Sequence, residues 1–211
     1  MIMSLETKLI IFDLGGVVVP ERGHLVKKEI AEQLEITVKE LNQISREPFE
    51  KATRGLSNLN GFYLEIVRKL EKDINPEELL KTHLRLYKEL HSDVNPNILD
   101  LIERLKKNKY MVVCLSNTEE EIAKYNRERG LFKPFHKAYL SYGMKGLKKP
   151  DPDIYLEVLK DNDSIEPPQV LFIDDRQKYV NGAEKLGIKS ILYQNIHQLQ
   201  FQLVKAKINC S

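Results

Sequence analysis

Apolar residues fall along this chain in two rhythms. Short unbroken runs occur at residues 9–12, 111–115, 138–140 and 170–173, and residues 190–193 carry a further one behind Ser190. Runs that short and that rich in β-branched residues predict strands, the longer ones buried on both faces. Elsewhere apolar residues recur every three or four positions, which predicts amphipathic helices. From residue 96 onward the two rhythms alternate. Ile98, Leu101, Ile102 and Leu105 mark one helix, residues 119–129 another, residues 152–159 a third and residues 183–186 part of a fourth, with an amphipathic tail from Ile196. Strands separated by helices in this way predict an α/β fold with a doubly wound parallel sheet.

Residues 21–90 break the alternation, because they show the helical rhythm alone. Val26, Ile30 and Leu34 recur at four-residue spacing, and Val38, Leu41 and Ile44 follow a Thr37/Glu40 capping box. Phe62, Tyr63, Ile66, Val67 and Leu70 form the clearest stripe. Asn75 and Pro76 open a helix carrying Leu79, Leu80, His83, Leu84, Tyr87 and Leu90. A parallel crossover needs only about a dozen residues. The block is therefore read as an all-helical cap domain over residues 20–91, inserted into an α/β core formed by residues 1–19 and 92–211.

Composition narrows the function. The 211 residues carry a formal charge of only +2, with basic residues scattered, so no nucleic-acid partner is expected. No apolar run reaches membrane-spanning length and no secretory leader opens the sequence, so no membrane partner is expected. Cys114 and Cys210 do not make a disulfide framework, which points to a reducing, cytoplasmic setting. The five histidines have no zinc-type spacing. Oligomeric state has no signature.

Chemistry gathers at the strand ends. The first long run ends in Asp13 followed by Gly15 and Gly16, the second in Ser116 and Asn117, the fourth in Asp174 and Asp175. Lys149 stands at the start of a helical segment. Parallel strands point their carboxyl ends the same way, so these groups converge on one edge. Three carboxylates placed together call for a cation, and an all-oxygen set suits Mg2+. Ser, Asn and Lys offer donors to a phosphate. An aspartate, Mg2+ and a phosphate together describe an aspartyl-phosphate mechanism.

In these motifs the sequence resembles the haloacid dehalogenase (HAD) superfamily of hydrolases. The segments FDLGGVVV, CLSNT, KKPDPDIY and VLFIDD resemble its four motifs in order, and the resemblance spans nearly the whole chain. It implies a Rossmann-like core with a helical cap between the first and second motifs. It implies Mg2+-dependent hydrolysis of a small phosphorylated metabolite, such as a sugar phosphate. Asp13 would be nucleophile and metal ligand, the Gly15 carbonyl and Asp174 further metal ligands, and Asp175 the group ordering them from behind. Ser116 and Asn117 would hold the phosphate, and Lys149 would neutralise the charge around it.

Two positions depart from the family pattern. Gly15 stands where most family phosphatases carry a second aspartate as general acid and base, and Tyr179 stands where an Asn or Asp is usual, flanked by Arg176 and Lys178. Loss of general acid–base help is worth about 10² to 10⁴ in rate. A catalytically weak relative that binds a phosphorylated ligand or a protein partner is therefore the alternative reading. A metal-free dehalogenase acting at carbon is a third, opposed by the Asp174–Asp175 pair. In the helical block, Arg54 beside Gly55 is a candidate for contact with a substrate oxygen.

Overall fold

A computed structural model of the chain describes residues 6–162 and 164–210. The strands are β1 (Leu9–Phe12), β2 (Met111–Ser116), β3 (Lys137–Leu140), β4 (Val170–Asp174) and β5 (Lys189–Leu192). They form one parallel sheet in the order β3-β2-β1-β4-β5. Alternation along each strand divides the core between the two faces. Ile10, Phe12, Val112, Cys114, Leu171 and Ile173 face one side. Leu9, Ile11, Val113, Leu115, Val170 and Phe172 face the other. This two-sided burial is why the strands read as unbroken apolar runs.

The helices of the second half are α5 (Pro96–Lys107), α6 (Glu120–Glu128), α7 (Pro152–Lys160), α8 (Gln177–Glu184) and α9 (Ile196–Lys205). α5 buries Ile98, Leu101, Ile102 and Leu105 on the first face, beside Leu199 and Leu203 of α9. α7 and α8 cover the second face through Ile154, Tyr155, Val158 and Ala183. The doubly wound α/β architecture is the one expected. Lys149 differs from expectation: it lies in the loop before α7, whose first residue is Pro152. Asp151 is at the N-cap position but makes no side-chain cap hydrogen bond, because its carboxylate is drawn to Arg54.

Between β1 and β2 run α1 (Gly23–Gln33), α2 (Val38–Thr53), α3 (Leu59–Leu70) and α4 (Pro76–Leu90). They share their own apolar cluster, in which Val26, Ile30, Leu34, Leu41, Ala52, Leu59, Phe62, Tyr63, Ile66 and Leu79 are buried. Thr37 and Glu40 close the capping box on α2. Ile122 of α6 joins this cluster, so the helical insert packs on the core through α6. Val38 is 39% exposed although it was expected on the packed face, and Phe49 is 40% exposed. Both line a cavity between the insert and the sheet edge. No helix among the described residues is long and apolar enough to cross a membrane.

The insert also holds a titratable pair. The Tyr63 hydroxyl and His83 Nδ1 are 2.7 Å apart. Burial pushes the imidazole down to about 4, with His91 adding to the effect. A histidine lowered from its ordinary value favours the fold while neutral. Its contribution is complete above about pH 6.5 and is lost as pH falls towards about 4. Wild-type protein should therefore take up an extra proton on unfolding in that window. His83→Gln should remove this proton, flattening the pH dependence of urea midpoints between pH 6.5 and 4.5. An unchanged slope would show that His83 titrates alike in both states.

Candidate active site

The strand order reverses between β1 and β4, and the candidate site lies at the carboxyl ends of those strands. The chain lays β2 and β3 on one side of β1, then crosses to place β4 and β5 on the other. Such a switch point leaves a crevice between diverging loops. Phe12 is in register with both Cys114 and Ile173. The next residue along therefore puts Asp13 beside Asp174, and the Asp13 amide donates to the Ile173 carbonyl at 2.8 Å. Ser116 ends the strand on the opposite flank.

Lys149 stands between the two aspartates. Its Nζ is 2.8 Å from Asp13 Oδ1 and 2.6 Å from Asp174 Oδ2. Lys149 and Asp174 are fully buried and Asp13 is nearly so. Burial disfavours the ammonium, but Asp13 and Asp174 outweigh it and hold Lys149 above the usual lysine range. Burial pushes Asp174 up, against the opposing pull of Lys149, and Asp13 adds to the rise. Asp175 is also raised, first by burial and then by Asp13.

Oxygens of Asp13, Asp174 and Asp175 all lie within 4.8 Å of one another. Three carboxylates against one ammonium leave an excess of negative charge in a buried place. Asp175 Oδ1 is buried with no hydrogen-bond partner among the described residues. An orphaned carboxylate oxygen in an all-oxygen cluster fits a hard divalent cation such as Mg2+. Gly16 makes the close approach of Asp175 feasible. It has φ +82°, and a Cβ there would lie 2.2 Å from Asp175 Oδ2. Gly15 is different: its Cβ would meet only Glu21 Oε2, at 3.7 Å.

The loop bearing Lys149 is clamped from several directions. Asn117 Nδ2 donates to the Lys149 carbonyl and Asn117 Oδ1 accepts from the Lys149 amide, both at 2.9 Å. The Tyr179 hydroxyl lies 3.3 Å from Asn117 Nδ2, and the Tyr179 ring centroid lies 5.0 Å from Lys149 Nζ. The aromatic residue at this unusual position thus faces the buried ammonium with its ring. Lys148 Nζ reaches Glu50 at 2.9 Å and Thr53 Oγ1 at 3.0 Å. Arg54 donates to the Gly146 carbonyl at 2.6 Å and pairs with Asp151. Arg54 is committed to this bridge between α2 and the lysine loop. The Ser141 hydroxyl donates to the Thr53 carbonyl and accepts from the Thr118 amide.

All of this opens into the cavity beneath the insert, about 630 Å³ in volume. Asp13, Gly15, Ser116, Asn117 and Lys149 line it together with Glu21, Phe62, Tyr63, His83 and Glu119. Its size is that of a small-molecule site. The structure thus brings Asp13, Ser116, Asn117, Lys149 and Asp174 to one place, with Asp175 adjoining. The sequence reading passed over Lys148, Ser141, Glu21 and Glu119. Only Glu119 carried a local signal, as an acidic residue directly after the Ser-Asn-Thr segment.

Comparison with known proteins decides the family. A model of the haloacid dehalogenase-like hydrolases matches residues 7–187. The chain belongs to that family. A HAD family enzyme from Bacteroides thetaiotaomicron is 26% identical, with a TM-score of 0.74 over 93% of this hydrolase and 99% of that chain. The same enzyme in complex with magnesium and inorganic phosphate superposes with a TM-score of 0.70 at 25% identity, over 92% and 98% of the two chains. Flavin mononucleotide hydrolase 1 of Arabidopsis thaliana, a chloroplast protein, is 37% identical over 78 residues. That match takes in 35% of this hydrolase and 31% of the plant protein. The L-2-haloacid dehalogenase of Xanthobacter autotrophicus shares the fold, with a TM-score of 0.61 at 18% identity over 96% and 84% of the chains.

The two glycines of the first motif give a direct test of this geometry. Gly16→Ala combines a strained backbone with a collision against Asp175, and should cost well over about 1 kcal/mol in chemical denaturation. Gly15→Ala should stay within about 1 kcal/mol of wild type. Equal losses at the two positions would contradict the loop conformation.

Proposed function

We propose that this hydrolase is a Mg2+-dependent phosphatase acting on a small phosphorylated metabolite through an aspartyl-phosphate intermediate. The observation that carries the reading is Asp13, held at the switch point by a buried lysine beside two further carboxylates, at the floor of a ligand-sized cavity. The magnesium and phosphate bound by the Bacteroides enzyme support it, as does the phosphate-ester hydrolase named for the Arabidopsis protein. The Asp174–Asp175 pair favours it over metal-free chemistry at carbon.

In this reading Asp13, the Gly15 carbonyl and Asp174 would hold the ion, and Asp175 would order or join them. When bound, Mg2+ supplies positive charge against the phosphate oxygens. An Asp13 carboxylate oxygen bonds to phosphorus while the phosphorus–ester oxygen bond breaks. Lys149 offsets the charge on Asp13 and on the phosphoryl group. Ser116 borders the phosphate, and Asn117 supports it by clamping the Lys149 backbone. Water then attacks phosphorus, frees phosphate and restores Asp13. The helical insert, residues 20–91, acts as a cap that closes the cavity over the organic part of the substrate.

The attacking water must lose a proton, and Gly15 offers no base for it. Glu21 is the carboxylate beside that position, held by the Gly23 amide at 3.1 Å and by Arg176 at 3.3 Å. Both of its oxygens accept hydrogen bonds, so it acts as a base, and we assign it the role of taking a proton from the water that attacks the phosphorylated Asp13.

Asp13→Asn should abolish phosphate release with the fold intact, and a chelator should stop the wild-type enzyme without loss of helical signal. Wild-type turnover in Asp13→Asn would sink the reading. Glu21→Gln should slow alkyl phosphates and p-nitrophenyl phosphate alike by about 10² or more, because both pass through the same phosphorylated Asp13. Gly15→Asp in that background should recover part of the loss. Slowing of alkyl phosphates alone would remove Glu21 from the role.

A further inference from the structure

The wall that the insert gives to the cavity gathers donors with few free acceptors. His24 and Lys27 are one turn apart on α1, and Asn42, Ser45 and Arg46 share a face of α2. All five line the cavity. Lys27 Nζ donates to Asn42 Oδ1 at 2.9 Å, which brings the ammonium to the face of α2 that carries Arg46. Lys27 and Arg46 have no carboxylate partner among the described residues, and both are exposed, so an entering anion displaces only water. Ser45 is 7% exposed, and its hydroxyl has no hydrogen-bond partner among the described residues. The carboxylates of the same cavity are engaged elsewhere. Glu21 holds the Gly23 amide and Arg176, Glu50 holds Lys148 and Arg54, and Glu119 bonds its own backbone amide. Two cations facing one cavity without a counter-charge repel each other, and an anion between them relieves this. A neutral, hydroxyl-rich group would find almost no free acceptor on this wall.

We infer that Lys27, Ser45 and Arg46 form a second anion subsite, and that the substrate is a phosphate ester with a further anionic group, a carboxylate or a second phosphate, at its far end. The proposal rests on the phosphatase reading and names its substrate class. An ammonium, a hydroxyl and a guanidinium offer hydrogen bonds to either anion, and the planar fork of arginine matches the paired oxygens of both. α2 sets the spacing between the two anions. Its carboxyl end is fastened to the lysine loop, where Lys148 reaches Glu50 and Thr53. At the rise of an α-helix, Arg46 stands about 10 Å from Thr53 along the axis. A sugar skeleton substituted at both ends spans a gap of that order. The cavity volume of about 630 Å³ admits a molecule of this size.

The test is calorimetric binding to the Asp13→Asn protein with Mg2+, so that nothing is turned over. The ligands are fructose 1,6-bisphosphate against fructose 6-phosphate, and 6-phosphogluconate against glucose 6-phosphate. In at least one pair the doubly anionic ester should bind tenfold or more tighter, and the pair that does so tells whether the second group is phosphate or carboxylate. Adding Lys27→Gln and Arg46→Gln together should bring that ratio close to one, whereas Arg46→Lys alone should keep part of it. If the double variant fails to fold, the single changes decide, and each should lower the ratio threefold or more. Lys28→Gln, outside the cavity wall and paired with Glu32, should leave the ratio unaltered, which separates a local subsite from overall charge. The proposal is overturned if neither doubly anionic ester surpasses its counterpart, if loss of Lys27 and Arg46 keeps the preference, or if Lys28→Gln lowers it as much. Hydrolysis of p-nitrophenyl phosphate by wild type under those outcomes would leave the phosphatase reading standing. Failure of every ester to bind or turn over would remove both.

Discussion

The ammonium of Lys149, sealed between Asp13 and Asp174, is the contact on which the rest of this site depends. Two carboxylates at the ends of adjacent strands cannot both stay ionised in a buried place without a cation between them. Removing the lysine alone would leave an uncompensated buried charge, a change worth about 3–5 kcal/mol. Most of the surrounding structure can be read as a means of holding that side chain. Asn117 grips its backbone from β2, Tyr179 lies against it from α8, and Lys148 and Arg54 tie the flanking loop to α2. The pair is thus a fixed electrostatic arrangement that reactants enter without rebuilding it.

The same contacts join the insert to the chemistry. The carboxyl end of α2 is bound to the lysine loop by Glu50, Thr53 and Arg54, and the 53–55 turn packs against residues 141 and 142. Gly55 has φ +68° and its missing Cβ leaves room for the Tyr142 carbonyl. The cavity wall and the lysine are therefore parts of one packed unit. In the proposed phosphatase reading, a substrate that fits the wall would be presented to Asp13 by the same elements that hold Lys149. In such a site, binding energy from the organic part of a ligand can serve orientation of the phosphate.

Much of this was legible in the sequence because it is written in local patterns. Residues 9–12 and 170–173 read as buried strands, since apolar side chains on both faces leave no alternation. The carboxylates that follow them were placed at one sheet edge by topology alone. Proline and asparagine at residues 75–76 and 95–96 marked helix starts that the fold uses. The contacts that were not legible join distant residues. Arg54 meets Asp151 and Lys148 meets Glu50 from 97 and 98 residues away in the sequence, and no local spacing encodes such a meeting. Asp151 reads as a helix cap, yet a charged partner outbids the backbone amides for its carboxylate. Val38 reads as core, yet its side chain turns to the cavity, where the apolar surface has another use. Tyr179 reads as a departure, and only the fold shows that its ring faces the lysine.

The central claim is that Asp13 itself carries the phosphoryl group during turnover. Enzyme mixed with a phosphate ester and Mg2+, quenched in acid and reduced with borohydride, answers it by peptide mass spectrometry. An aspartyl phosphate is reduced to homoserine, so the account predicts homoserine at position 13 in a fraction that rises with substrate and disappears with chelator. Active turnover with residue 13 recovered wholly as aspartate, or with homoserine at another aspartate instead, would contradict it.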